Sequence, residues 1–293
     1  MATLKASPSN IPLEDTLPSQ PAQAGSWRRS WQTVWPPLLV IAILLIVWQL
    51  VASWLVNGLE EGTFQYRQQQ SLLPAPVKVF AALFNNFEVF AEAGRVTLVN
   101  AFIGFMLGSL IGFGLALVMS QSRWIERSFY VYIVASQMIP VIALAPILYG
   151  IIKEETALKI TVSAYLTFFP VTVNVLKGLR SVNPASLELM QTYAARPWQI
   201  YSKVRIPTAL PFLFNALKIA STGSLIGAIV SELMGGNEGL GVLILKLQYN
   251  AYGVSDKLWA LIIEVALVGM LFFLVVSLAE RLVVPWQPEY RKK

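Results

Sequence analysis

Apolar residues in this chain fall into runs of about 20, separated by shorter polar segments. A helix of that length rises about 30 Å, which matches the hydrocarbon thickness of a bilayer. The pattern therefore predicts an all-α membrane protein with six transmembrane helices. The predicted spans cover residues 35–56, 97–119, 129–152, 157–179, 210–234 and 258–278, with a tight hairpin at Lys153, Glu154 and Glu155 between the third and the fourth.

Composition and charge support this class and suggest an orientation. Hydrophobic residues make up 56% of the 293 residues, charged residues only 13%, and the mean hydropathy is +0.60, whereas soluble domains contain roughly 25% charged residues. The net charge is +6. If the N-terminus is cytoplasmic, the cytoplasmic segments carry twice as many Lys and Arg residues as the opposite side. This bias predicts a multi-pass plasma or inner membrane protein with both termini in the cytoplasm, and nucleic acid is not an expected partner.

The segments outside the spans differ in character. Residues 1–30 are rich in Pro, Ser, Gln and Ala and contain no early hydrophobic run, so they predict a disordered cytoplasmic tail in front of a membrane domain at 31–293. Residues 60–95 are predicted to lie outside, with an amphipathic interfacial helix from Val77 to Phe90. The largest cytoplasmic loop covers residues 180–208.

The cytoplasmic loop has the pattern of a helix–turn–helix. Asn183 and Pro184 form a typical helix start. The Asn183 side chain can accept a hydrogen bond from a backbone N–H of the first turn. Proline is tolerated at the first helical position, because the N–H that it lacks would have no partner within the helix. Pro197 predicts a break. Leu187, Met190 and Ala194 are spaced to share one helical face, and Trp198, Tyr201 and Val204 indicate a second short helix. From this pattern alone, a loop that merely packs on its own spans is an equally good interpretation.

The order of residues in this loop resembles the "EAA" coupling loop of ABC-importer permeases. The family pattern is Glu-Ala-Ala, a Gly after three intervening residues, and later an apolar residue, a Pro and a second Pro. Glu188-Leu189-Met190 stands at the triplet, Ala194 at the glycine, and Ile206-Pro207 through Pro211 at the end. Leu189, Met190 and Ala194 depart from the pattern. A glycine permits a positive φ that alanine resists, so the turn is expected to differ in detail.

Further motifs resemble the nitrate/sulfonate/taurine branch of the same family. They are Leu73-Pro74-Ala75-Pro76, the glycine-rich second span, Gln137-Met138-Ile139-Pro140, Ala145-Pro146, Phe168-Phe169-Pro170, Gly227 to Glu232, and Gly239-Leu240-Gly241. Within that branch, Tyr193-Ala194-Ala195 and Ser231-Glu232 are more similar to permeases for heteroaromatic nutrients such as riboflavin, pyrimidine thiamin precursors and hydantoins.

The resemblance implies a type I ABC importer permease fold with an external interfacial helix and a cytoplasmic coupling helix. It implies a permease subunit that translocates a small nutrient, such as a heteroaromatic vitamin or precursor, or alternatively a sulfonate, taurine or nitrate-type anion. The implied partners are cytoplasmic ABC ATPase subunits, an extracytoplasmic substrate-binding protein and a second permease copy, as a homodimer or a heterodimer. The residues expected to dock the ATPase are Glu188, Leu189, Met190, Tyr193, Ala194, Arg196, Trp198, Tyr201 and Pro207.

The sequence has no Gly-x-x-x-x-Gly-Lys-Ser/Thr motif for cradling ATP phosphates. We therefore expect ATP to be used by a separate subunit, with no cofactor bound by this chain. The chain also lacks Cys and His, which removes thiolate and imidazole ligands and catalysts. No catalytic constellation or metal site is expected, so an enzyme is disfavoured. A secondary transporter would usually have more spans and inverted repeats, and a scaffold would leave the basic loop unexplained.

Polar residues at membrane depth suggest a translocation path between the third, fourth and fifth spans, because each needs a partner or a wet cavity. The polar candidates are Ser136, Gln137, Tyr165, Asn174, Ser224 and Glu232, with interhelical hydrogen bonds as the alternative for each. Phe168 is a further candidate, because its ring and that of Tyr165 can stack on a planar cargo, with simple packing as the alternative. Glu264 in the sixth span is either a proton relay or a buried hydrogen-bonding group. Gly104, Gly108 and Gly112 predict close helix packing, within the chain or at a subunit seam.

Overall fold

The computed structural model describes residues 26–57, 59, 63, 65, 72–250 and 256–286. Residues 1–25 of the predicted tail lie outside the described residues. The first helix, α1 (Ser26–Val56), begins within that predicted tail. Pro36 and Pro37 therefore lie inside the helix, whereas a span that began at residue 35, as predicted, would have them in its first turn. A proline inside a helix removes one backbone hydrogen bond.

The remaining described helices follow one another with short connections, and no strand occurs among the described residues. They are α2 (Pro76–Asn85), α3 (Phe87–Ser120), α4 (Arg123–Gln137), α5 (Val141–Ile151), α6 (Glu155–Arg180), α7 (Pro184–Thr192), α8 (Pro197–Ile200), a π-helical turn (Tyr201–Arg205), α9 (Ile206–Leu233), α10 (Leu240–Asn250) and α11 (Asp256–Val283).

Helix α6 is the centre of this bundle, with α3 packed on one side and α9 on the other. Gly104, Gly108 and Gly112 of α3 face α6. A Cβ at Gly108 would lie 2.7 Å from the Thr167 Cβ, and one at Gly112 would lie 2.6 Å from the Phe168 carbonyl oxygen. The glycine series is therefore a close-packed seam within the chain, and not a seam between subunits.

The surface of the bundle is apolar, as expected of a chain that has lipid as its solvent. Within the described residues, five helices are long and apolar enough to cross a membrane. Large exposed hydrophobic residues include Leu110 and Ile111 of α3 and Met270, Leu271 and Leu278 of α11. The all-helical membrane class is therefore confirmed. Helices suit a bilayer because each satisfies its backbone hydrogen bonds internally.

The predicted third span is not one straight helix. Helix α4 ends at Gln137 and α5 begins at Val141, and the two axes differ by 98°. Pro140 is the N-cap residue of α5, where it disfavours a helical conformation at the residue before it. The described chain thus has six spans only when the bent pair is counted as one.

The tight hairpin before α6 forms as predicted, and a carboxylate caps it. The Glu154 side chain accepts hydrogen bonds from the backbone N–H of Thr156, at 3.0 Å, and of Ala157, at 2.5 Å. These bonds hold the pKa of the Glu154 carboxyl below its usual value, and the bond from Ala157 has the largest effect. Glu154 fills the role of an N-cap, which satisfies backbone donors that have no partner inside the helix.

Two further boundaries differ from the prediction. The second span begins earlier, since α3 starts at Phe87. The predicted interfacial helix is correspondingly shorter: α2 ends at Asn85, and the stretch from Phe87 to Phe90 belongs to α3. The Asn86 side chain marks the junction by donating a hydrogen bond to the Ala82 carbonyl oxygen at 2.7 Å. Helix α2 buries Pro76, Val79 and Leu83 and packs on α11.

The glycine seam gives a testable expectation. Gly108→Ala adds one methyl group that collides with the α6 backbone at Ala164, and such overpacking costs about 1–3 kcal/mol. The matched control is Gly114→Ala on the same helix, where a Cβ meets no atom within 4 Å. We expect the apparent melting temperature of the purified chain to fall for Gly108→Ala and to stay level or rise for Gly114→Ala. Equal melting temperatures would contradict the seam.

Candidate functional site

Helix α7 begins the predicted loop as its sequence indicated. The Asn183 side-chain oxygen accepts a hydrogen bond from Ala185 N at 3.0 Å, and Pro184 occupies the first helical position. No residue of α7 is buried. The helix therefore projects from the bundle. We call residues 184–205 the coupling segment.

The turn after α7 places an alanine in a left-handed conformation. Ala194 has φ +51° and is the only non-glycine residue with positive φ among the described residues. The turn is closed by Ala194 N, which donates to Gln191 O at 2.8 Å, and by Ala195 N, which donates to Met190 O at 3.0 Å. An L-residue pays about 1–2 kcal/mol for this conformation. The turn thus forms with alanine where the family pattern has glycine. The prediction that Ala194 shares a helical face with Met190 is wrong, because Ala194 lies beyond the end of α7.

The second short helix predicted in the loop is not separate from the fifth span. Helix α8 begins at Pro197. The backbone N–H of the preceding residue, Arg196, donates a hydrogen bond to the Gln199 side chain at 2.8 Å. The helix continues through the π-helical turn into α9, so that Pro197–Leu233 forms one helix of 37 residues. The π-helical turn lies where the ring of Pro207 would otherwise clash with the Lys203 carbonyl.

Tyr201 ties this continuous helix to the end of α3. Its hydroxyl lies 3.0 Å from Ser120 Oγ and accepts a hydrogen bond from Arg205 Nη1 at 3.2 Å. The Arg205 guanidinium carbon also lies 4.8 Å from the Tyr201 ring centroid, within range of a cation–π interaction. Tyr201 therefore connects the continuous helix to the end of α3.

The predicted docking residues separate into an outer and an inner group. Tyr193 is 76% exposed, Trp198 72% and Leu189 56%. Glu188, Ala194 and Arg196 are also exposed. The half-buried residues are Met190, Tyr201 and Pro207. Exposed aromatic residues beside an arginine are typical anchors of a protein interface. Tyr201, by contrast, is used within the chain and is not an exposed anchor.

At the opposite end of α9, Glu232 is enclosed. Its side chain is fully buried and accepts hydrogen bonds from Thr97 Oγ1 at 2.9 Å and from Gly241 N at 2.8 Å. Thr97 Oγ1 in turn accepts from Leu240 N at 2.8 Å. The Lys159 ammonium lies 3.9 Å from the carboxylate. Buried charges persist only with such partners, so Glu232 joins α3, α6, α9 and α10.

A second carboxylate extends this network to the loop before α10. Glu155 pairs with Lys159 and accepts a hydrogen bond from Asn237 N at 2.9 Å, while Lys159 donates to the Glu238 carbonyl oxygen at 2.9 Å. A Cβ at Gly239, where φ is +120°, would collide with the Glu232 carboxylate. The network was not predicted from the sequence. Gly239 is the residue that could have indicated it, because a side chain at this position would displace the Glu232 carboxylate.

Several predicted path residues do not line an open path in this structure. Glu232 is enclosed as described. Ser224 is fully buried; its carbonyl oxygen accepts a hydrogen bond from Ser163 Oγ at 2.8 Å, which makes it part of the α6–α9 packing. The Asn174 side chain donates to the Pro170 carbonyl oxygen of its own helix at 2.8 Å.

Other path candidates gather at the break between α4 and α5. The Tyr165 hydroxyl donates to the Ser136 carbonyl oxygen, and the Tyr165 and Phe168 rings are 5.9 Å apart. Gln137 is exposed next to the break. The structure thus brings four of the predicted residues to one bent, partly exposed site where two planar rings are available.

Two acidic residues of α11 have different surroundings. Glu280 is buried and accepts from Lys218 Nζ of α9 at 2.9 Å, an ion pair between spans that the sequence analysis missed. Glu264 is buried, and within the described residues its carboxylate has neither a hydrogen bond nor an ion pair. The interpretation of Glu264 as a buried hydrogen-bonding group is therefore not supported.

The comparisons with known proteins agree with this architecture. The sequence profile of the family described as "Binding-protein-dependent transport system inner membrane component" matches residues 96–287. The chain belongs to this family. The permease is 36% identical over 84% of its length, and 96% of the relative's, to a "Probable ABC transporter permease protein" of Haemophilus influenzae.

Further similar proteins extend the comparison to named transporters. The permease is 34% identical over 89% of its length to the "Formylaminopyrimidine transport permease protein ThiX" of Halalkalibacterium halodurans, covering 98% of it. It is 28% identical over 86% of its length to the "Riboflavin transport system permease protein RibX" of Chloroflexus aurantiacus, covering 91%. A chain from the crystal structure of an amino acid ABC transporter with histidines superposes with a TM-score of 0.58 at 20% identity, over 70% of this chain and 98% of that one.

The buried network can be tested by removing one hydroxyl. Thr97→Val keeps the shape of the side chain but removes one hydrogen bond from Glu232, which still accepts from Gly241 N, and leaves Leu240 N without a partner, at about 1–3 kcal/mol for an unsatisfied buried group. We expect a clear fall in the apparent melting temperature of the purified permease. Thr222→Val, at an exposed position of α9, is the matched control and should leave it unchanged. A Thr97→Val protein as stable as this control would show that the network adds nothing to stability.

Proposed function

We propose that this permease is the transmembrane subunit of an ABC importer and that a separate cytoplasmic ATPase drives it through the coupling segment. The observation that carries this proposal is the continuity of α8, the π-helical turn and α9. A helix of 37 residues is about 55 Å long, whereas the hydrocarbon core is about 30 Å thick. The helix therefore has to extend beyond the membrane, and its N-terminal end carries exposed Trp198.

The same geometry supports a mechanism for coupling. A partner that grips the exposed residues Leu189, Tyr193 and Trp198 and then moves would displace α8, and the unbroken helix would carry this movement into α9. At the far end, Glu232 fastens α9 to α3, α6 and α10. Packed helices switch between discrete arrangements more readily than they deform gradually, so the bundle moves as a unit between two openings.

Family membership implies a separate ATPase and an extracytoplasmic binding protein as partners. We propose in addition that both termini are cytoplasmic, as the distribution of Lys and Arg indicates, and that two permease copies enclose the path. A single bundle whose centre is the close-packed α3–α6–α9 seam offers no opening through that seam. The exposed bend between α4 and α5, with Tyr165 and Phe168 beside it, is therefore the surface we assign to the path.

For the cargo we propose a planar heteroaromatic nutrient. The paired rings of Tyr165 and Phe168 can stack on such a ring. Two of the relatives reported above carry names that refer to formylaminopyrimidine and riboflavin. A sulfonate, taurine or nitrate-type anion is the alternative cargo within the same permease role, and a secondary transporter is the alternative of another class.

The turn at Ala194 provides a test of coupling. Ala194→Val places a β-branched side chain at positive φ, which is strongly disfavoured, whereas Ala194→Gly relieves the strain already present. In proteoliposomes that contain the assembled transporter, we expect Ala194→Val to lose most of its uptake per ATP hydrolysed and Ala194→Gly to match the wild type. Normal uptake per ATP by Ala194→Val would argue against the coupling role.

The cargo class can be tested with the complete transporter and its binding protein. A formylaminopyrimidine or a flavin, presented by the binding protein, is expected to stimulate ATP hydrolysis, whereas an aliphatic sulfonate or nitrate is not. Phe168→Leu, which keeps an apolar side chain but removes the ring, should weaken that stimulation. Stimulation by the anions alone would reverse the assignment. Uptake driven by an ion gradient without any ATPase would favour a secondary transporter.

A further inference from the structure

A cavity of about 310 Å³ lies between the ends of α3 and α6 and the coupling segment. Three arginines line it, namely Arg123, Arg180 and Arg205, together with Ser120 and Ser122. A cavity of this size holds several water molecules. The cavity is thus large enough for a small polar group and is lined by donors.

The charges in this wall are not balanced. Arg180 pairs with Glu126. Among the described residues, by contrast, neither Arg123 nor Arg205 lies within 4.0 Å of a carboxylate. Arg205 donates from Nη1 to Tyr201, but its Nε is buried without a hydrogen-bond partner. A buried donor without an acceptor costs about 1–3 kcal/mol, so an acceptor in this cavity would be stabilising.

We propose that this cavity binds a phosphate group, supplied either by the headgroup of an anionic phospholipid or by soluble phosphate. The planar guanidinium matches two phosphate oxygens at once, and the Ser122 hydroxyl supplies a further donor, whereas Ser120 Oγ already donates to the Leu117 carbonyl oxygen. Arginine-lined pockets among span ends are typical sites for acidic headgroups. Helix α3 ends at Ser120, α4 begins at Arg123 and α6 ends at Arg180, so the cavity lies where the spans leave the bilayer.

The position of the cavity favours phosphate over an acidic residue of a partner protein. Its walls come from the span ends and, in the coupling segment, from Leu187 and Arg205. The strongly exposed Tyr193 and Trp198 do not line it. A partner seated on those residues is therefore not seated in the cavity. The proposal requires the membrane fold only and does not depend on the coupling role.

A bound phosphate would also have a mechanical effect. It would connect Arg123, at the corner between α3 and α4, with Arg205, in the π-helical turn of the long helix. Tyr201 and Ser120 already join the same two elements. Phosphate binding would add a charge-assisted link to this joint and so hold the coupling segment against the bundle.

The test uses the full-length permease, purified and stripped of lipid. Native mass spectrometry would compare phosphatidylglycerol with phosphatidylcholine of the same acyl chains, and equilibrium dialysis would measure inorganic phosphate. Wild type is expected to prefer phosphatidylglycerol to phosphatidylcholine, or to bind inorganic phosphate. Arg123→Gln, which removes one charge-assisted contact, should weaken that binding about tenfold or more. Arg127→Gln is the matched control, because it removes the same charge one turn further along α4 and outside this wall.

The outcomes distinguish the two sources of the phosphate group, and some of them would overturn the proposal. A preference for phosphatidylglycerol without phosphate binding identifies the headgroup as the source, and the converse identifies soluble phosphate. Arg205→Lys, which keeps the charge but not the paired donors, should also weaken binding and serves if Arg123→Gln fails to fold. Absence of both kinds of binding, or equal losses in Arg127→Gln, would overturn the proposal. So would an Arg123→Gln permease that binds phosphate normally but no longer co-purifies with its ATPase, since the cavity would then hold a partner's carboxylate.

Discussion

The close approach of α6 to its two neighbours is the constraint on which the rest of this structure depends. In a bilayer, apolar surface alone gives helices no reason to associate, because lipid tails are as apolar as leucine. Association therefore requires close van der Waals packing, which small residues allow. Gly108 and Gly112 supply it on the side of α3. Between α6 and α9 it is supplied by Gly178 of α6 and Gly227 of α9, where a Cβ would lie 2.9 Å from Phe212 Cβ and 3.0 Å from Ser163 Cα, closer than van der Waals contact.

This packing determines what the polar residues of the core can do. Because α3, α6 and α9 are in close contact, Thr97, Lys159 and Glu232 come within reach of one another although they are far apart in sequence. The resulting cluster holds one end of α9, and Tyr201 holds the other end to Ser120. The long helix is thus fastened at two separated points.

Some of the fold and some of the site were accessible from the sequence. The apolar runs located the spans, the Asn183–Pro184 pair located the start of α7, and the glycine spacing located a packing face. Boundaries that depend on a proline were less accessible. Pro140 separates two strongly bent helices, whereas Pro36, Pro37 and Pro207 lie within continuous ones, and a proline by itself does not reveal which outcome its neighbours will impose.

By itself, then, the sequence determined the membrane class and the family pattern of the coupling loop, because these follow from local periodicity and short-range order. Only the tertiary structure decided that the loop continues into the fifth span, that Ala194 takes the left-handed turn, and that Glu232 and Ser224 are enclosed instead of lining a path. The physical reason is that the burial and the partners of a polar side chain depend on which helices meet, and that meeting is a property of residues distant along the chain.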